Sequence, residues 1–301
     1  MRVLACVLLA LATSSATAAS PRAACTGLHG SIRYVRGDET YAVSLMRCTD
    51  RLAKAATDRT RVAGVATTGP TPGVQRLYVH GRLVFTSWET GPFVPLEVSG
   101  DGRWLFFFVD EYGANSAVVD GVPLLVVSTG GGAVHDLGVT LPYVYSLAWC
   151  GGKLVYTPGS DRVAIDGKRL AVATPPEWRP HPLWTDAART FGSPACEPGH
   201  DAVAVLTQHT SRNARFFATR WRLWRVGLNG SRRLLDTPPP GWADEQPVWS
   251  PRGDAIAFVR ERNGYGRIMI RHDGHLLGPI AQLGYGLGYY GHHDWGLAWR
   301  P

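Results

Sequence analysis

The chain has 301 residues, of which 45% are hydrophobic and 18% charged. That balance excludes a disordered chain, and Gly 35 with Pro 21 suits many short strands joined by tight turns. A net charge of +7, with three lysines against 28 arginines, favours anionic envelope polymers or lipid head groups and fits a GC-rich bacterial genome.

In chain order the first element is a processing signal. Arg2 precedes an apolar run at residues 3–12 (VLACVLLALA), too short to span a bilayer. Ala16-Thr17-Ala18 is a small-x-small cleavage site. Residues 1–19 therefore read as a signal peptide and 26–301 as one domain. Arg22 spoils a lipoprotein box before Cys25, so the expected product is secreted or extracytoplasmic, unlipidated and without a membrane span. Nucleic acid is not an expected partner there. Losing Cys6 leaves Cys25, Cys48, Cys150 and Cys196, an even set that predicts disulfides in any of three pairings.

Residues 32–36 (IRYVR) and 40–45 (TYAVSL) predict a hairpin, and 51–59 (RLAKAATDR) is the best helical candidate, though short. A unit then recurs: a strand entry, a tight turn, and an apolar strand. Ser99-Gly100-Asp101-Gly102 precedes 104–109 (WLFFFV), Trp149-Cys150-Gly151-Gly152 precedes 154–156, and Cys196-Glu197-Pro198-Gly199 precedes 202–206. With anchors at 98, 149, 195, 249 and 299 the steps are 51, 46, 54 and 50 residues. His80-Gly81, Asp120-Gly121, Asp166-Gly167, Asn229-Gly230 and Asp273-Gly274 are hairpin signals, and the first implies a further unit near 60–90. The last anchor, Trp299, has no strands after it, and the hairpin at Ile32 has no anchor before it.

The copy at 247–274 (PVWSPRGDAIAFVRERNGYGRIMIRHDG) resembles the repeat of the TolB-like, WD40-like (PD40) propeller family. The resemblance covers nearly all of the mature chain and weakens toward the N-terminus. It implies an all-β six-bladed propeller, with five blades as the alternative, closed by pairing of the C-terminal strand with the N-terminal hairpin. About a dozen residues separate the cleavage site from the first strand, so a propeller without the α/β domain of TolB itself is expected. Cys150 and Cys196 hold equivalent places in consecutive blades, which favours Cys150–Cys196; Cys25 and Cys48 flank the hairpin, which favours Cys25–Cys48.

Two constellations carry polar chemistry. Gly291-His292-His293-Asp294-Trp295 could hold a divalent metal, but adjacent histidines would share one ion only in a loop. Residues 211–233 carry seven arginines and no acid, interleaved with aromatics; Arg212, Arg215, Arg220, Arg222 and Trp221 suit an anionic or carbohydrate partner by forked hydrogen bonds and stacking. Asp110-Glu111 and Asp244-Glu245 read as loop acids. Gly-x-Ser-x-Gly, HExxH and P-loop motifs are absent. The expectation is a monomeric binding scaffold for an extracytoplasmic protein, peptide or anionic envelope polymer, with no catalysis and no cofactor. The alternative is a metal-assisted hydrolase or lyase working near His292, His293 and Asp294.

Overall fold

The computed structural model describes residues 27–36, 39–47, 49–55, 64–68, 73–87, 93–109, 121–140, 146–159, 169–209, 220–285, 287–289 and 292–301. The signal peptide, Cys25, Cys48, Arg212, Arg215 and Asp110-Glu111 lie outside the described residues. Among those described, every regular element is a strand.

The strands form consecutive antiparallel sheets. The first holds β1 (Ser31–Arg36), β2 (Glu39–Ser44) and β3 (Thr49–Ala55), and the second β4 (Val65–Thr68), β5 (Gln75–Val79) and β6 (Arg82–Ser87). The third holds β7 (Phe93–Val98), β8 (Trp104–Val109), β9 (Val122–Ser128) and β10 (Val134–Thr140). The fourth holds β11 (Leu147–Cys150), β12 (Lys153–Tyr156), β13 (Leu170–Ala173) and β14 (His181–Trp184). The fifth holds β15 (Arg189–Cys196), β16 (Ala202–His209), β17 (Arg222–Gly227) and β18 (Arg232–Asp236). The sixth holds β19 (Ala243–Trp249), β20 (Ala255–Arg262), β21 (Tyr265–His272) and β22 (His275–Tyr285). A ribbon of β23 (Leu287–Tyr289) and β24 (His292–Asp294) follows. The last strand, β25 (Ala298–Arg300), returns to pair with β1, Trp299 opposite Ile32, and makes the first sheet four-stranded.

Strand sequences explain the stacking. Residues 105–108 (LFFF) are fully buried, because alternate side chains of β8 enter different cores. Leu105 and Phe107 join Leu77 and Val84 of the second sheet; Phe106 and Phe108 join Leu154 and Tyr156 of the fourth. β16 does the same, sending Val203 and Val205 to the fourth sheet and Ala204 and Leu206 to the sixth. β20 sends Ile256 and Phe258 to the fifth sheet and Ala255, Ala257 and Val259 to the first. Five shared cores thus join the sheets in the order second, third, fourth, fifth, sixth, first. The first strands stand side by side: β11 against β15, β15 against β19, β19 against β25.

The recurring turn has a side-chain cause. Ser250 N–H donates to Ala255 O, and its hydroxyl both accepts from Ala255 N–H and donates to Asp254. Ser99 repeats all three bonds with Trp104 and Asp101. The anchoring tryptophans pack onto the preceding sheet: Trp249 Nε1 donates to Ala195 O, and Trp149 lies 5.8 Å from Phe106 between ring centres.

Three sequence readings change. Thr49–Ala55 is strand β3, so the candidate helix gives way to pairing with β2 as far as Ala55; tertiary pairing overrides local propensity here. The hairpin signals are not equivalent positions. Asn229-Gly230 and Asp273-Gly274 join third to fourth strands, whereas Gly121 directly precedes the third strand β9. Asp244 and Glu245 are buried in β19, not in a loop.

Cys150 ends β11, Cys196 ends β15, and the two are disulfide-bonded with Cα atoms 5.4 Å apart. The bridge ties the first strands of the fourth and fifth sheets across a separation of 46 residues. Replacing both cysteines by serine is expected to cost about 2–4 kcal/mol in denaturant unfolding. A double mutant with an unshifted midpoint would show that the inter-sheet core alone holds these strands.

Candidate functional site

In each four-stranded sheet, the links from first to second and third to fourth strand leave one edge, here called the turn edge. The remaining links, including those between sheets, leave the opposite loop edge. The sheet-to-sheet links at 185–188 and 237–242 are short, so successive first strands run the same way. Strands β8, β12 and β16 end, and β9, β13 and β17 begin, at the loop edge.

At this edge the fifth and sixth sheets meet around Trp242. Residues 237–242 (TPPPGW) form a turn in which Trp242 N–H donates to Pro239 O at 3.1 Å. Its three prolines fix their own φ angles in advance. Arg220 clamps it from the fifth sheet, donating to Pro238 O from Nε at 3.0 Å and from a terminal nitrogen at 2.5 Å. From the sixth sheet, the Arg267 guanidinium lies 4.0 Å from the Trp242 ring centre and that of Arg262 lies 5.7 Å away. Neither arginine has a carboxylate partner among the described residues. Burial and the nearby Arg260 charge hold the Arg267 pKa below its ordinary value.

A buried charge network lies beneath. Arg260, opposite Arg267 in the ladder, donates to both Asp244 oxygens at 2.8 and 3.1 Å and to Asp236 of the fifth sheet. Arg271 completes the chain, 3.4 Å from Asp236. The Asp244 side chain is 0% exposed and that of Arg260 4%. Burial pushes Asp244 up to about 7, against the pull of Arg260 and with help from the Asp236 charge. An unfolded aspartate loses its proton near pH ~4. Between the two values the folded chain therefore holds the extra proton, and stability falls as pH rises. The stabilising contribution of protonated Asp244 is full below about pH 4 and lost on rising through about 7. Asp244→Asn should flatten the slope of stability against pH in that window; an unchanged slope would place the titration elsewhere.

Of the two sequence constellations, the described residues Arg220–Arg222 and the backbone of His292–Asp294 lie at this edge, whereas Arg225, Arg232 and Arg233 stand further along toward the turn edge. Arg220 is the clamp on Pro238. The Trp221 ring packs over Gly192, and its carbonyl accepts from Asp244 N–H at 3.3 Å. Arg222 stands opposite Thr207 in β17, half-buried and without an ion pair among the described residues. The backbone of His292–Asp294 is strand β24, Gly288 opposite His293, in place of a loop. Consecutive residues of a strand address opposite faces; the side chains of 292–294 lie outside the described residues. The neighbouring Trp295 is fixed: its N–H donates to Gln246 Oε1, and its ring lies where any β-carbon on Gly266 would come within 2.9 Å. Among the described residues no three His, Cys, Asp or Glu side chains group as metal ligands. No helix there is long and apolar enough to cross a membrane.

Trp242, Arg262, Arg267 and the Arg260 network were not singled out by the sequence. The one available signal was the proline run before Trp242, which marks a rigid turn at a strand entry. Chemically the edge offers a planar aromatic and fork-shaped cations, a combination that binds acidic groups and sugar rings.

No protein-family model matches the chain, and no curated protein sequence does. Solved structures are similar at low identity. A protein assigned as TolB from Agrobacterium tumefaciens is 14% identical, with TM-score 0.48, over 86% of this chain and 91% of that one. TolB from Acinetobacter baumannii is 14% identical, with TM-score 0.47, over 82% of this chain and 62% of that one. A puromycin hydrolase is 13% identical, with TM-score 0.49, over 85% of this chain and 44% of that one.

Proposed function

We propose that this chain is an exported six-bladed β-propeller, released from a signal peptide at residues 1–19, that acts as a binding scaffold for an acidic extracytoplasmic ligand. The five cores stacking six sheets in order, with β25 returned to β1, support a ring of six blades. The disulfide between Cys150 and Cys196 supports an oxidising compartment. The ligand is an acidic protein segment, peptide or anionic envelope polymer.

One observation carries the binding reading: Arg262 and Arg267 are stacked on Trp242 with no carboxylate in ion-pair contact among the described residues, Asp244 acting on Arg267 only from a distance. Like charges held together with so little compensation cost stability that packing does not need. An acidic ligand would supply a direct partner.

Polyglutamate and dextran sulfate, with neutral dextran as control, test this. The chain is expected to bind the polyanions with affinity falling as salt rises, and to ignore dextran. Arg267→Ala with Trp242→Ala should weaken binding by about tenfold. Polyanion binding untouched by that pair would remove the loop edge from the function. A mature N-terminus other than 19 or 20, read by mass spectrometry of the secreted chain, would overturn the signal assignment.

A further inference from the structure

The repeat's turn demands a serine where Ser99 and Ser250 stand, since the hydroxyl caps the N–H that starts the next strand. In the fifth sheet that place is taken by Glu197. The turn survives, with Glu197 N–H donating to Ala202 O at 3.0 Å. The carboxylate, 7% exposed, instead accepts from Arg225 Nε on β17 at 2.5 Å. Arg225 stands opposite Arg233 in the ladder. Glu197 and Arg233 line a cleft of about 240 Å³ at the turn edge between the fifth and sixth sheets. Leu235, Trp249 and Ile256 form its apolar lining, and Arg271 enters from the sixth sheet.

We propose that this cleft binds a small ligand carrying one carboxylate on an apolar body. Its cations are unequally committed. Arg225 is taken by Glu197 and Arg271 is shared with Asp236, while Arg233 has no carboxylate partner among the described residues. Arg233 is therefore the fork for the ligand's carboxylate, with Arg271 as the second cation. The apolar body lies on Trp249 and Leu235. Glu197, Asp254 and Asp273 line the cleft too and weaken its positive field, so little remains to offset the steeper desolvation of a dianion. This site lies at the opposite edge of the sheets from Trp242 and does not depend on the loop-edge reading.

Phenylacetate and its neutral isostere phenylacetamide, titrated into the full mature chain by calorimetry, test the proposal. Phenylacetate should bind saturably and phenylacetamide at least about tenfold more weakly. Arg233→Gln, at an exposed position that spares the fold, should weaken phenylacetate by about tenfold. Glu197→Ser restores the repeat's serine and releases Arg225, and should tighten it. Arg267→Ala at the loop edge should leave it unchanged. Four results would overturn the site: no saturable phenylacetate binding, equal binding of the isosteres, binding undiminished in Arg233→Gln, or loss on Arg267→Ala.

Discussion

Trp299→Ala is expected to lower the free energy of unfolding by about 3–5 kcal/mol. Trp299 is 7% exposed and packs with Leu28, Ile32, Tyr34 and Val43 of the first sheet and with Ala255 and Ala257 of the sixth. Its Nε1 donates to His29 O at 3.0 Å. Truncation empties a core that joins two sheets, and the indole's bond to the chain start goes with it. A substitution at Met46, which is 80% exposed, should by comparison move stability by less than about 0.5 kcal/mol. Denaturant midpoints of the two variants make the comparison. If the tryptophan variant lost less than about 1 kcal/mol, the β25 contact with β1 would add nothing to the stability of the folded chain.

Arg260→Met is the second large effect, at about 3–5 kcal/mol. The cost does not come from losing an attraction alone. Asp244 stays behind, buried and without its cation, while Asp236 keeps only the longer contact with Arg271. The penalty should therefore shrink on acidification, as Asp244 takes up its proton. Replacing Asp244 by Leu in the same chain should recover much of the loss, because an apolar pair of similar volume suits this interface with Phe258 and Met269. A double variant as unstable as the single one would show that geometry, and not stranded charge, governs the site.

The segment PVWSPRGDAIAF disclosed the fold because every residue type in it answers a local demand. Ser250 caps the turn, Ala255 to Phe258 alternate between two cores, and Trp249 reaches the preceding sheet. Such demands repeat with the sheet, so they show as a period in the sequence. Which turn joins which strands did not show. Asp-Gly signals a tight reversal, and Asp273-Gly274 and Asp120-Gly121 look alike in sequence. Asp244 read as a loop acid because burial of a carboxylate depends on Arg260, 16 residues on, and on Asp236 across the interface. The bulge between Glu245 and Val248 also breaks the alternation that would have marked β19. The candidate site was half legible. Composition pointed to arginine and aromatics, and Arg220 and Trp221 do reach that edge. Their roles could not be seen, because the Arg220 contact with Pro238 and the stacking of Arg267 on Trp242 join the inter-sheet turn to strands distant in sequence, with no shared motif.

The pairing of β25 with β1 also bears on the order in which the molecule can fold. The bond from Trp299 to His29 spans 270 residues, so the first sheet stays three-stranded until two distant stretches of chain meet. Closing so long a loop is entropically costly and slow. The inter-sheet cores built from neighbouring stretches can form before it, which leaves the edge of β1 as the last surface to be covered.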